Sequence, residues 1–330
     1  MRRPVKGNNR VFYKSFILVG IAAITVAIFF ALRSGGGRQV MPSPPAERQD
    51  EVKPIRVVTS KRFVSLDADR VLPADVSSVI AVVCGKDRAS ANRYELRNEA
   101  LRSVARRRNL PEGDVAALMA YVASEKGVLH PAREAALRND ILNLLCEQEP
   151  ISADLPDLLM DIVRKGRHDA MLVDYAIQHL GILQHDLPDA EARLLRDTLF
   201  MSASKIERPY AGTAFYALAD SRKMSAPESE RLRRLTVAAC SSHANPLVRL
   251  SALQLAGECG YREVLPEVRS ILRGVHRDAV TDVVAIGTLG LLGDASDIRL
   301  IESLSARGGS RLATPCKMAM ERIKGRMKEE

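Results

Sequence analysis

Histidines beside acidic residues are the side chains of this sequence that most readily suggest metal chemistry. His168-Asp169 and His185-Asp186 are two pairs of the kind that could hold a metal ion in a hydrolase. The residues between them are predicted to form one helix, which places the pairs about 25 Å apart at 1.5 Å per residue, too far to share an ion. No two histidines stand four residues apart on one helix, and we interpret His179 as a groove histidine or one with a hydrogen-bond partner in the protein, rather than as a metal ligand. We therefore expect no metal site.

The five cysteines also lack the spacing of a metal site or of a disulfide framework. Their number is odd, and no C-x-x-C pair occurs. Cys240 and Cys259 are predicted to end the two helices of one hairpin, about 20 Å apart, which is too far for a disulfide bond. We expect most of the thiols to be buried and these two to be unbonded.

Motifs of nucleophilic and nucleotide-dependent enzymes are absent from the sequence as well. There is no G-x-S-x-G, no phosphate-binding P-loop and no G-x-G-x-x-G after a strand. The prediction is therefore no catalytic residue, no cofactor and no enzymatic activity. An enzyme is kept as the third alternative, and it would need a cofactor that appears on purification.

The net charge of +9 is concentrated at the N-terminus. Residues 1–40 hold seven basic residues and no acid, which leaves +2 for residues 41–330. Nucleic-acid binding needs a basic footprint on the folded part of a protein, so this distribution argues against a nucleic-acid partner. Two arginine clusters, Arg106–Arg108 and Arg231 with Arg233 and Arg234, raise the alternative of an anionic glycan, lipid or other polyanion as the ligand.

The N-terminal segment predicts attachment to a membrane. Ser15–Leu32 is an uncharged run of 18 residues between Lys14 and Arg33, long enough to cross a bilayer. More basic residues precede the run than follow it, which predicts a cytoplasmic N-terminus. The chain is accordingly divided into a cytoplasmic tail (1–14), a transmembrane helix (15–33), a flexible Gly/Pro-rich linker (34–55) and an extracytoplasmic domain (56–330) of a single-pass inner-membrane protein. The alternative is a signal peptide cleaved near Ser34-Gly35-Gly36.

From about Pro73 onward the sequence is a succession of amphipathic segments with a repeated pattern. An alanine is followed by a large apolar residue and, four and five positions after the alanine, by an apolar and a small residue. The successive alanines are 36, 40, 38, 38 and 33 residues apart, at Ala100, Ala136, Ala176, Ala214, Ala252 and Ala285. Ala136 is the weaker match, because Asp140 and Ile141 follow it at the apolar and small positions. This period is typical of stacked helical hairpins, so we predict an all-α solenoid of about seven hairpins. Ile55–Leu72, which is rich in β-branched residues, suggests an extended segment before the first hairpin.

One repeat resembles a known family. The stretch from Asn245-Pro246 through Val248-Arg249 to Ala252 is similar to the second helix of a HEAT repeat, in particular of the phycobilisome-lyase type. The resemblance implies a solenoid whose second helices start at Asp or Asn with Pro in the first turn. It implies little about function, because HEAT arrays serve many unrelated tasks. The His-Glu dipeptides used by one catalytic HEAT family, the di-iron hydroxylases, do not occur in this sequence.

A solenoid places one surface position per repeat in a row along its second helices. This position lies two residues after each repeated alanine, and the row comprises Arg102, Arg138, Gln178, Tyr216 and Gln254. Polar side chains together with one tyrosine suit the recognition of a protein or peptide. The sequence therefore predicts a membrane-tethered HEAT-repeat scaffold that binds a protein partner in the extracytoplasmic, periplasmic space through this row.

Overall fold

Short polar or Gly/Pro breaks divide the C-terminal part of the chain into amphipathic stretches, and these stretches form helices. The computed structural model describes residues 75–329 except 87, 125–126, 167–168, 222, 242 and 275–277. Within these residues there are fourteen α-helices and no β-strand. The helices are α1 Val76–Val83, α2 Tyr94–Val104, α3 Glu112–Ala123, α4 Pro131–Cys146, α5 Leu155–Lys165, α6 Ala170–Leu183, α7 Asp189–Ala203, α8 Ala211–Ala219, α9 Ala226–Ala239, α10 Pro246–Cys259, α11 Leu265–Arg273, α12 Ala279–Leu292, α13 Ile298–Gly308 and α14 Ser310–Glu329.

The helices are arranged as hairpins, in which each odd-numbered helix packs against the even-numbered helix that follows it. We call the odd-numbered helices the first helices and the even-numbered helices the second helices. Each second helix also packs against the second helix of the next hairpin, from α2 through to α14. The described part of the chain thus forms seven hairpins, which confirms the all-helical prediction and fits a HEAT-type α-solenoid.

Polar caps fix where several second helices begin. Asn245 accepts a hydrogen bond from the backbone N–H of Leu247 at 3.0 Å, and Pro246 occupies the first turn of α10. Asp169 and Asp278 cap α6 and α12 in the same way. These caps satisfy N–H groups that have no partner within the helix, and proline loses nothing at a position whose N–H is free. The residues that carry the HEAT resemblance therefore stabilise the start of the helix.

The small residue of the repeated pattern lies where two second helices come closest. A Cβ atom added to Gly181 of α6 would lie 2.8 Å from Cβ of Ala217 in α8. One added to Gly290 of α12 would lie 2.7 Å from Cα of Ala319 in α14. Both distances are shorter than a van der Waals contact. The periodic small residue thus sets the separation of the second helices and positions the side chains that this row presents.

The sequence-based domain division concerns mainly residues that precede the solenoid. Val71–Glu330 forms one compact unit. The predicted tail, transmembrane helix and linker lie outside the described residues, as does Ile55–Leu72. From residue 75 to residue 329, none of the helices is both long and apolar enough to span a bilayer. The membrane segment and the domain limits stay predictions from the sequence.

Candidate functional site

Four of the five residues predicted to form the binding row have accessible side chains on the second helices. Arg102 is exposed on α2, and Gln178, Tyr216 and Gln254 are half-buried on α6, α8 and α10. Because α6, α8 and α10 pack against one another in that order, the three half-buried residues belong to adjacent helices. This part of the predicted row is therefore a surface that a partner could reach.

Arg138 is wrongly placed in the predicted row, because its side chain is buried, with 4% of the residue exposed. Its Nε donates to Oε1 of Glu134 at 2.9 Å, and its Nη1 donates to the carbonyl oxygen of Ser124 at 2.6 Å. Glu134 stands one helical turn earlier on α4 and is itself buried, so the arginine reaches its carboxylate by turning inward. Arg138 consequently contributes to packing rather than to a binding surface.

The ion pair of Arg138 belongs to a buried cluster that joins α2, α3 and α4. Tyr121 of α3 donates its hydroxyl proton to Glu134 and has the guanidinium of Arg97 over its ring at 4.7 Å and that of Arg138 at 5.5 Å. Burial and the hydrogen bond to Glu134 raise the pKa of Tyr121 to about 12, so the phenol stays protonated. The repeat pattern did not predict this cluster, although Arg97 occupies an apolar position of α2 together with Ala100, Leu101 and Val104.

The half-buried residues of the row are held by hydrogen bonds to their neighbours. Gln178 donates to Asp174 at 2.9 Å, and Asp174 accepts a second hydrogen bond from Thr213 of α8. Burial raises the pKa of Asp174, and these two hydrogen bonds oppose that effect. Tyr216 directs its hydroxyl toward the carbonyl oxygen of Ser251 at 3.5 Å, and burial raises the pKa of Tyr216. The face between α6 and α10 is thus ordered before any partner binds.

Exposed large apolar side chains are concentrated on the second helices. Among the residues that the structure describes, every such side chain except Val128 and Leu194 lies on a second helix. Single exposed apolar residues are ordinary on protein surfaces, but their concentration along one row of helices is typical of an interaction surface. The predicted row did not include these side chains, because it comprises one position per repeat. They are Met171, Ile182, Leu247, Val283, Leu291, Met318 and Met327.

Two clefts open between neighbouring helices of the described solenoid. The larger one, about 360 Å³, lies between α7 and α9 on the first helices and is lined mainly by charged residues. Lys223 pairs with Asp189 at 2.9 Å, and Arg196 pairs with Glu228 at 2.9 Å, so most of this charge is neutralised internally. The smaller cleft, about 210 Å³, lies between α12 and α14 on the second helices and has largely apolar walls.

The arginine clusters that suggested a polyanion ligand are partly neutralised. Arg233 forms ion pairs with both Glu230 and Glu263, and Arg234 lies 3.7 Å from Glu230. In the other cluster Arg108 pairs with Glu149 at 2.6 Å. A carboxylate that already accepts from an arginine competes with any anionic ligand for the same donors. The clusters therefore offer fewer free cations than the sequence suggested.

Two of the described histidines, His179 and His185, are used in packing and ion pairing. His179 is 5% exposed, its Nδ1 lies 3.5 Å from Sγ of Cys146, and burial lowers its pKa to about 4. His185 lies beyond the end of α6 and contacts Asp220 at 3.0 Å, while Asp169 caps the start of the same helix. His168 lies outside the described residues. Across the parts of 75–329 that are described, no three His, Cys, Asp or Glu side chains are grouped to hold a metal ion.

None of the five cysteines forms a disulfide bond. Cys240 and Cys259 lie at the ends of α9 and α10, which confirms that they do not form a disulfide within this hairpin. The expectation that most thiols are buried is wrong, because only Cys240 and Cys316 are buried and Cys259 is exposed. Cys259 is exposed because α10 ends there at Gly260, beyond the part of the helix that faces the core.

Comparison with known proteins gives the chain no family. No family model matches the sequence, and no curated protein matches it. Among solved structures, that of human deoxyhypusine hydroxylase in complex with glycerol is similar, with 12% sequence identity and a TM-score of 0.33 over 76% of this chain and 96% of that chain. At these values the match assigns no activity and no site to this chain. The class that the structure itself defines is an all-helical, solenoid-like protein.

The prediction that the chain is not an enzyme is withdrawn. The solved structure to which the chain is similar is, by its name, that of a hydroxylase. The absence of familiar catalytic motifs and the helical architecture do not together exclude catalysis, because sites with different chemistry can occur on one fold. The missing motifs were therefore too weak a basis for excluding an enzymatic activity.

Proposed function

We propose that this chain is a membrane-tethered, HEAT-like scaffold that binds a protein partner with the exposed face of its second helices, on the extracytoplasmic side of the membrane. The tether and the orientation rest on the apolar run of 18 residues between Lys14 and Arg33 and on the surplus of basic residues before it. Membership of the HEAT family rests on the period and on the residues around Asn245 and is part of the proposal.

The concentration of exposed apolar side chains on the second helices is the observation that carries the binding function. Leu247 of α10 is 45% exposed, and Tyr216 of the neighbouring α8 offers an aromatic surface with a polar tip. Apolar and aromatic anchors surrounded by polar groups such as Gln178 and Gln254 match the composition of protein interfaces. Arg102 stays in the proposed face, whereas Arg138 does not.

A pair of exposed leucines allows this proposal to be tested with a matched control. Leu247 lies on a second helix, and Leu194, which is 53% exposed, lies on a first helix. We expect Leu247→Asp and Tyr216→Ala to abolish capture of the partner by crosslinking of the full-length protein in its native membrane, and Leu194→Asp to leave it unchanged. Circular dichroism should show the same helix content in all variants. Loss of capture with Leu194→Asp alone would place the partner on the first helices and refute the proposal.

The membrane tether is tested on the same captured material. Intact mass of the captured chain should show that residues 1–33 are retained, and added protease should reach the C-terminal domain only from the extracytoplasmic side. A chain shortened near Ser34 would instead establish the cleaved signal peptide, and digestion from the cytoplasmic side would reverse the orientation.

A further inference from the structure

The smaller cleft has the dimensions of a receptor for side chains of a peptide. It lies between α12 and α14, and its walls include Val283, Pro315 and Met318. Ala319, which is buried, forms its base at the point where Gly290 brings the two helices together. Binding sites for organic ligands typically occupy roughly 300–1,000 Å³. A cleft of about 210 Å³ is smaller than this and is suited to one or two apolar side chains.

The apolar walls of this cleft are open. Val283 is 40% exposed and Met318 is 48% exposed. Leu291 of the same α12 is also exposed. An apolar side chain that enters from another molecule removes this surface from water, which favours binding in proportion to the area covered. The cleft therefore supplies the apolar half of a recognition site.

The charge beside the cleft is basic. Arg322 lines it, and no residue in the described part of the chain forms an ion pair with it. Helix α14 as a whole carries six basic and two acidic residues, and the acid of α12, Asp282, is buried. Arg326 is already used, because it donates to the carbonyl oxygens of Gly290 and Gly293. Arg322 is thus a free donor for a carboxylate next to an apolar cleft.

We propose that the cleft between α12 and α14 binds an acidic amphipathic segment of the protein partner. One apolar side chain of the segment, of the size of leucine or phenylalanine, occupies the cleft, and an aspartate or glutamate within one helical turn of it pairs with Arg322. An amphipathic helix seated in a groove is a common mode of peptide recognition. This inference rests on the proposed protein-binding function and specifies the chemistry of the partner. The basic surface of α14 disfavours a basic segment at the same place.

A peptide selection tests this chemistry without knowledge of the partner. The full-length protein in lipid nanodiscs is used to select from a random 16-residue display library, and an enriched peptide is labelled for fluorescence anisotropy. We expect enriched peptides to combine leucine, isoleucine or phenylalanine with aspartate or glutamate three or four residues away. Their affinity should fall about tenfold or more with Met318→Asp and with Arg322→Glu, as for loss of an interface anchor.

Matched variants separate specific from general effects of charge. Arg193→Glu changes an exposed arginine on α7, a first helix, and should leave the affinity unchanged within about twofold. A peptide in which lysine replaces the acidic residue should bind the Arg322→Glu variant more tightly than it binds the unaltered protein. This reversal requires the two charges to be in contact, whereas a merely unfolded variant would bind neither peptide.

Three results would overturn the inference. They are the enrichment of basic or uncharged peptides, affinities that Met318→Asp and Arg322→Glu leave unchanged, and a selection that enriches no peptide. These results differ from failure of the proposed function. If the partner is captured through Leu247 and Tyr216 but is indifferent to Arg322→Glu, the scaffold proposal stands and the cleft proposal is wrong. If acidic peptides bind in the cleft but the native membrane yields no partner, the cleft proposal stands and the scaffold proposal is wrong.

Discussion

Acidification should destabilise the solenoid through one buried imidazole, that of His179. In the folded protein burial lowers the pKa of His179 from 6.5 to about 4. In the unfolded chain the imidazole is in water and recovers its ordinary pKa. As the pH falls, the unfolded state therefore takes up a proton before the folded state does. The contribution of the neutral His179 imidazole to the free energy of unfolding is complete above pH 6.5 and decreases as the pH falls from 6.5 toward 4.

The size of the effect follows from the shift in the pKa of His179. Proton linkage between pKa values of 6.5 and about 4 removes about 2 kcal/mol of stability at pH 5 and roughly 3 kcal/mol once the pH is below 4. Leucine has a similar volume and no charge at any pH, so the His179→Leu variant should lack this part of the pH dependence. Its stability at neutral pH can differ in either direction, because the contact with Sγ of Cys146 is also removed.

Urea unfolding followed by circular dichroism at pH 7.5 and pH 5 measures this quantity. The difference in unfolding free energy between the two pH values should be about 2 kcal/mol smaller for His179→Leu than for the unaltered protein. His130→Leu is the control, because His130 is exposed at the start of α4 and its removal changes no buried charge. An equal loss of stability at pH 5 in the unaltered protein and in His179→Leu would refute the reasoning.

The remaining predictions use the same unfolding assay. Gly290→Ala should cost about 1–3 kcal/mol because its Cβ would lie 2.7 Å from a backbone atom of α14, whereas Gly287→Ala on the same helix meets nothing within 4 Å and should be neutral or stabilising. Arg138→Met should cost roughly 3–5 kcal/mol of stability, because it leaves the buried carboxylate of Glu134 without its ion pair. Arg102→Met, at an exposed position, should change stability by less than about 0.5 kcal/mol. Equal costs for the two variants would contradict the burial of Arg138. Burial raises the pKa of Glu228, but hydrogen bonds outweigh it and hold the pKa at about 2, so its stabilising contribution is complete above pH 4.5 and is lost as the pH falls toward 2. Glu228→Gln should remove that loss, and an unaltered acid transition would show that the carboxylate is not held in this way.

The architecture could be predicted from the sequence because its causes are local and repeated. Asn245 caps a helix because it precedes a proline and an apolar run, and the repeated alanine and apolar residues fix the face that is buried. Gly181 and Gly290 lie at helix crossings because a residue without a side chain permits the close approach of two second helices. The repeat period therefore predicts both where the helices lie in the sequence and that successive second helices pack against one another.

The residues of the binding face could be predicted only in part, because exposure depends on contacts from other helices. Arg102 and Arg138 occupy the same position of the repeat, yet one is exposed and the other is buried. The difference arises from Tyr121, which lies on α3 and brings its ring under Arg138 and its hydroxyl to Glu134. The spacing of residues within α4 therefore cannot show that Arg138 is buried.

The sequence by itself determined the helical period, the caps and the small residues at the helix crossings, since each depends on neighbours along the chain or on a repeated contact. Only the tertiary structure decided that Val283 and Met318 stand open around a cleft and that Arg322 lies beside them without an ion pair among the described residues. An apolar side chain is buried or exposed according to what packs over it, and the periodicity of α12 and α14 does not show what does.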